Sequence, residues 1–85
     1  MNSDPNQSSS MIVQQHEAII AAWVQVASVT PPQGQYLLSK QEIRAAGIDE
    51  DGVEPLVCHL ISRFPGTWIM DRTRDGQTYI FERLA

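Results

Sequence analysis

Ser39-Lys40-Gln41-Glu42-Ile43-Arg44-Ala45-Ala46-Gly47-Ile48-Asp49-Glu50-Asp51-Gly52-Val53-Glu54-Pro55-Leu56 is the stretch whose reading settles the fold. Ser39 and Glu42 have the S-x-x-E spacing of a capping box. The serine side chain accepts from the amide three residues on, and the glutamate reaches back to the serine amide. The helix opened in this way is expected over residues 40–46. Gly47 supplies a left-handed residue to end it, and Ile48 the apolar side chain that packs back on the last turn. Asp49 to Gly52 reads as an acidic turn. Val53, Leu56, Val57, Leu60, Ile61 and Phe64 then recur at helical spacing, which predicts an amphipathic helix over residues 53–64. Pro55 fits the first turn of that helix, where no intrahelical donor is lost. Pro65-Gly66 ends it.

Upstream, residues 11–29 contain no Gly or Pro and predict a helix. Ile12, Val13, Ile19, Ile20, Trp23, Val24, Val26 and Ala27 share one broad apolar side, and His16 falls among them. A buried neutral histidine with one hydrogen-bond partner is expected there, with a pH switch as the other reading. The opposite side holds Gln14, Gln15, Ala18, Ala21, Ala22 and Gln25 and carries no charge. Gln14, Ala18, Ala22 and Gln25 are therefore candidates for a homodimer seam, against the alternative of an ordinary polar helix back. Residues 1–10 are polar and cannot bury enough surface to offset their ordering entropy. They are expected to form a flexible tail, with Ser9 or Ser10 capping the helix. Residues 11–85 then form one domain.

Thr30-Pro31-Pro32-Gln33-Gly34 breaks the first helix, and Gln35-Tyr36-Leu37-Leu38 can serve as a short strand. At the other end, residues 67–73 and 77–84 are rich in β-formers and are joined by Asp75-Gly76, the usual pair of a type I′ hairpin turn. That turn places Trp68 opposite Arg83, Met70 opposite Phe81 and Arg72 opposite Tyr79. Ile69, Ile80 and Glu82 fall on the other side. Arg72, Arg74 and Arg83 share one side of the hairpin with Gln77 and Tyr79. Cross-strand pairing with Asp71, Asp75 and Glu82 on a solvated sheet is the alternative to a phosphate contact there.

The composition excludes several classes. The chain has 85 residues, of which 42% are hydrophobic and 19% charged, so it is neither a disordered polyampholyte nor a fibre. No apolar run approaches the roughly 20 residues of a membrane span, and no signal peptide is expected. The single cysteine, Cys58, cannot form an internal disulfide and points to a reducing, cytoplasmic setting. Cys58, His16 and His59 are too few for a zinc cage. Cys58 and His59 are helix neighbours and point about 100° apart, which prevents a nucleophile–base pair. The acids near Asp49 lack the spacing of a calcium loop. No phosphate-loop or metalloprotease motif occurs, and so small a core offers no substrate cleft. No enzyme activity, metal or cofactor is expected.

The resulting order is helix, short strand, helix, helix, β-hairpin, an α+β class. It resembles the winged-helix superfamily, a variant of helix-turn-helix. The resemblance rests on this order over residues 11–85 and on Ala46-Gly47-Ile48 followed by Val53 and Leu56. Helix-turn-helix units place a small residue, a turn glycine and two buried aliphatics at that spacing. The resemblance implies that the third helix would enter a major groove and that the hairpin would be the wing. Asp49, Glu50, Asp51, Glu54 and Pro55, then Cys58, His59 and Ser62, would face the groove. None of these is Arg, Lys, Asn or Gln, the usual readers of bases.

With 6 basic and 10 acidic residues the formal charge is −4, the wrong sign for a protein that mainly neutralises phosphates. A carboxylate about 5–6 Å from a phosphate costs roughly 0.7–0.8 kcal/mol in bulk-water dielectric. Several such pairs erode a specific-binding margin of roughly 4–10 kcal/mol. Two functions follow. The first is a non-catalytic regulatory or adaptor module that docks on a protein, including a basic or nucleic-acid-binding one, through Asp49, Glu50, Asp51, Glu54 and His59 and its wing. The second is a dimeric DNA-binding regulator whose wing residues Arg72, Arg74, Gln77 and Tyr79 supply most of the phosphate contact.

Overall fold

The computed structural model describes residues 14–85. The elements are α1 (Glu17–Ser28), β1 (Gln35–Ser39), α2 (Lys40–Ala45), α3 (Glu50–Arg63), β2 (Trp68–Arg72) and β3 (Thr78–Arg83). The class is α+β, with three helices and one antiparallel three-stranded sheet of order β1-β3-β2 among the described residues. The expected tail, its capping serines and the apolar positions Ile12 and Val13 lie outside the described residues.

The helix expected over residues 11–29 is interrupted at His16, whose φ of −124° and ψ of 25° leave the helical region. Only Ile20, Trp23 and Ala27 of α1 are buried. Val26, expected on the buried side, is 46% exposed. At 3.6 residues per turn it sits about 100° from the centre of the Ile20–Trp23–Ala27 stripe, at the edge of what α3 and the sheet can cover.

β1 runs directly into α2. Ser39 is both the last strand residue and the N-cap, its Oγ accepting from the Glu42 amide at 3.1 Å. The return half of the box differs from expectation: the Glu42 carboxylate meets the Ser39 hydroxyl at 3.4 Å. The far end of α2 closes as a Schellman turn. Gly47, at φ +92°, donates to the Arg44 carbonyl at 2.9 Å, and Ile48 donates to the Ile43 carbonyl at 3.3 Å. Ile43 and Ile48 are both buried, completing the apolar clasp of that motif.

α3 begins a turn earlier than its apolar periodicity predicts. Asp49 is the N-cap, its Oδ1 accepting from the Gly52 amide at 3.2 Å, so Glu50, Asp51 and Gly52 form the first turn instead of a separate acidic loop. Pro55 consequently sits inside the helix, past its first turn. The buried side is as the periodicity predicts: Val53, Leu56, Val57, Leu60 and Phe64 join one core cluster with Ile20, Trp23, Leu38, Tyr79 and Phe81.

The hairpin register also agrees, with Trp68 opposite Arg83, Met70 opposite Phe81 and Arg72 opposite Tyr79. Its turn is different. Gly76 donates to the Thr73 carbonyl at 2.8 Å and Thr73 to the Thr78 carbonyl at 2.9 Å, which leaves a four-residue loop. Gly76 has φ +73° but Asp75 does not have a positive φ, so the type I′ pair is absent. Both loops are centred between Asp75 and Gly76, and the strands therefore pair identically.

Two caps hold the α2 and α3 starts, and removing either side-chain acceptor costs about 1 kcal/mol. Ser39→Ala and Asp49→Ala should each lower stability by that amount in urea denaturation. Asp49→Asn, which keeps an acceptor, should recover most of the loss.

Candidate interaction surface

The four acids around the start of α3 do not form a uniform anionic ridge. Asp49 is committed to its cap. Glu50 lies between two α2 cations, with Lys40 Nζ at 3.3 Å and Arg44 Nη2 at 2.6 Å. The hydrogen bond from Arg44, then that from Lys40, holds its carboxyl below the usual carboxylate range. Both cations come from α2 because the Schellman turn folds α3 back beside them. Asp51 is exposed and has no ion-pair partner among the described residues.

Glu54 reaches the hairpin while its side chain stays 58% exposed. Its Oε1 accepts from Tyr79 Oη at 3.2 Å and faces Arg72 Nη1 at 3.4 Å. The Arg72 guanidinium also lies 5.9 Å from the centroid of the Tyr79 ring. Burial, then the neighbouring Glu54 charge, pushes the Tyr79 hydroxyl up. Tyr79 is 0% exposed, so it is a core residue and does not present its ring at a wing surface. The side of the hairpin carrying Arg72, Tyr79 and Arg83 faces the helices, with Tyr79 buried, Arg83 half-buried and Arg72 still exposed. Among the described residues the hairpin shows no cross-strand ion pair, since β-alternation sends Arg72 and Arg83 to one side and Asp71 and Glu82 to the other.

Arg83 stitches the base of the sheet. It donates from Nη1 to the Thr30 carbonyl at 2.8 Å and from Nε to the Ala85 carbonyl at 3.1 Å, and it lies 5.8 Å from the Trp68 ring centroid. Arg63 pairs with Glu17 at 3.6 Å. Arg74 alone, among the basic residues, has no ion-pair or hydrogen-bond partner within the described residues. It stands at the hairpin tip beside Asp75, in an open depression lined by Thr73, Arg74, Asp75 and Thr78. The Asp75 carboxylate is held there by the Thr73 hydroxyl at 2.6 Å and the Gln77 amide at 3.0 Å, which lower its pKa. The Gln77 side chain is exposed and turns back toward the Asp75 carbonyl, 3.5 Å away.

His59 is half-buried, and its Nε2 is covered without a hydrogen-bond partner among the described residues. Cys58 beside it is exposed. His16 is half-buried, on the side of Gly47, and is not the fully enclosed histidine expected. Gln14, Ala18, Ala22 and Gln25 are all exposed on the outer side of the first helical segment, as the periodicity predicts. No group of three or more potential metal ligands occurs among the described residues, and no described helix is long and apolar enough to cross a membrane.

Sequence reasoning missed the Glu54–Tyr79–Arg72 node. Arg72 and Tyr79 were legible as cross-strand neighbours, but nothing local indicates that a glutamate 25 residues earlier lies above them. Comparison with protein families, curated proteins and solved structures found no match for this chain.

The depressed Glu50 carboxyl carries a testable sign. A group whose folded pKa lies below its ordinary value of 4.5 adds stability above that value and loses it as the pH falls through the folded pKa. Thermal unfolding followed from about pH 5 to about pH 3 should therefore show a steeper fall in Tm for the native chain than for Glu50→Gln.

Proposed function

We propose that this chain is a small, non-catalytic winged-helix module that works as a regulatory adaptor, docking on a protein partner through the exposed N-terminal side of α3 and the adjoining hairpin. The order helix, strand, helix, helix, hairpin, with β1 paired to the second hairpin strand, supports the winged-helix reading. The observation that carries the function is the commitment of the cations. Arg72 is paired with Glu54 and Arg63 with Glu17, and Lys40 and Arg44 share the carboxylate of Glu50, while the outer side of α3 offers Asp51, Cys58 and Ser62. A surface whose cations, Arg74 apart, already face internal carboxylates releases few counterions from nucleic acid, a large source of affinity in DNA binding. It suits a protein partner, and a basic one in particular. The uncharged outer side of α1 and of the turn before it supports homodimerisation through Gln14, Ala18, Ala22 and Gln25. A cytoplasmic setting fits the unpaired Cys58.

A second reading, a DNA-binding regulator, keeps one observation in its favour: the guanidinium of Arg74 at the hairpin tip is free of internal partners. The internal pairing of Glu50 and Glu54 also reduces the repulsion a phosphate backbone would meet at α3. On that reading Arg74 alone would supply the wing contact, because Tyr79 is buried and Arg72 is held by Glu54.

Duplex DNA titrated by fluorescence anisotropy at about 50 and about 200 mM salt separates the two. The adaptor reading expects negligible affinity at both and no effect of Arg74→Ala. Binding that falls steeply with salt, with a log–log slope reduced by about 1 in Arg74→Ala, would establish the DNA reading instead. In parallel, a nuclease-treated pull-down from native extract should retain a protein partner that Asp51→Lys releases. Ala22→Glu should convert a sedimenting dimer to a monomer.

A further inference from the structure

The three strands carry apolar side chains on both of their faces. Tyr36-Leu37-Leu38, Trp68-Ile69-Met70 and Tyr79-Ile80-Phe81 are unbroken runs, the pattern of strands covered on both sides, whereas a sheet with one solvated face alternates. Among the described residues, helices cover one side only. Leu38, Tyr79 and Phe81 are fully buried against them, while on the other side Leu37 is 54% and Ile69 50% exposed, with Ile80 half-buried between. The register gathers these residues. Leu37 lies opposite Ile80 across β1 and β3, Ile80 opposite Asp71, and Ile69 opposite Glu82. The strip thus joins three aliphatics to two carboxylates. Asp71 Oδ1 accepts from its neighbouring Arg72 amide at 2.7 Å, and neither acid has an ion-pair partner among the described residues.

We propose that this outer sheet face docks a protein segment in which aliphatic side chains alternate with lysine or arginine. Charge selects the occupant. A second copy laid face to face would oppose Asp71 and Glu82 with their own equivalents, each close pair repelling, and more strongly as water leaves. The outer side of α1 and the turn before it, with Gln14, Ala18, Ala22 and Gln25, brings no cation to them either. Residues 1–13 contain no lysine or arginine. Nucleic acid and anionic lipid are repelled by the same two carboxylates. A cationic, aliphatic strand or helix satisfies both parts of the strip. This surface is separate from the α3 side invoked above, so either can fail alone.

The probe is a soluble peptide alternating valine with lysine, compared with its valine–glutamate counterpart by amide chemical shifts of the labelled full chain. The lysine peptide should move the amides of Leu37, Ile69, Asp71, Ile80 and Glu82 in a salt-dependent manner, and the glutamate peptide should not. Asp71→Asn combined with Glu82→Gln, which touches no core contact, should weaken binding about tenfold, the scale of two exposed ion pairs. Leu37→Thr with Ile69→Thr should weaken it further while the spectrum stays dispersed. Three results would overturn the proposal. One is shifts centred on Asp51 and α3. Another is equal binding of the glutamate peptide. The third is a dimer in sedimentation that Ile69→Thr dissociates, which would make a second copy the occupant.

Discussion

Phe64 holds the two layers together. It is the C-cap of α3, and its ring meets Phe81 of β3 edge-on at 5.1 Å, Trp68 of β2 at 5.1 Å and Tyr36 of β1 at 6.1 Å. Tyr36 and Phe81 stack in turn at 6.0 Å. Each such ring pair is worth about 0.5–1.5 kcal/mol beyond its buried area. One side chain thus ties the end of the longest helix to all three strands. The chain then reverses sharply: Trp68 Nε1 donates to the Pro65 carbonyl at 2.6 Å, which fixes the tryptophan under the turn. Burial, then the Glu42 charge, pushes the Tyr36 hydroxyl up to about 12, consistent with a ring seated at the rim of this cluster.

With that end of α3 anchored, the position of its other end follows. Glu54 is ten residues before Phe64, nearly three turns back along the axis, and comes to rest over Tyr79 and Arg72. The charge distribution of the molecule derives from this placement. In a strand, successive side chains point to opposite sides, so Asp71 and Arg72 cannot serve the same surface, nor can Glu82 and Arg83. The arginines go inward and must find partners from the helices or backbone carbonyls, as Arg72 does with Glu54 and Arg83 with Thr30. The carboxylates go outward, where neither has an ion-pair partner among the described residues. A chain whose hairpin is neutral by count is therefore polarised in space, and its net charge says little about either surface.

The helical layer was largely legible because its signals are local. Ser39, Glu42, Gly47 and Ile48 each specify a backbone event within five residues, and the apolar repeat from Val53 to Phe64 marks one helix side regardless of where the helix starts. The register of the hairpin was legible for a similar reason, since two different loops centred on Asp75-Gly76 give the same pairing. Where two local signals competed, the outcome was not. Asp49 could open an acidic turn or serve as an N-cap, and as an N-cap it draws Glu50 to Gly52 into α3 and leaves Pro55 inside it. Val26 illustrates the limit of periodicity, because the width of a buried stripe is set by the neighbours available to cover it. The ion pairs were hidden altogether. Glu54 with Arg72 and Glu50 with Lys40 depend on how helices cross, and sequence spacing carries no record of that.

The outer sheet face cannot be explained by the needs of the fold. Leu37 and Ile69 contribute nothing to the helical side of the core, and threonine at either position would keep the β preference. Leaving them aliphatic has a cost for a free monomer. β1 is an edge strand that contains neither lysine nor proline, the residues that usually blunt an edge. At β2, the other edge, the Arg72 amide is already engaged by Asp71. An exposed aliphatic strip beside an unguarded edge favours self-association, and Asp71 and Glu82 oppose that by placing two anions within the strip. The combination discourages a second copy while leaving the apolar surface available, the two conditions that the proposed cationic segment would need.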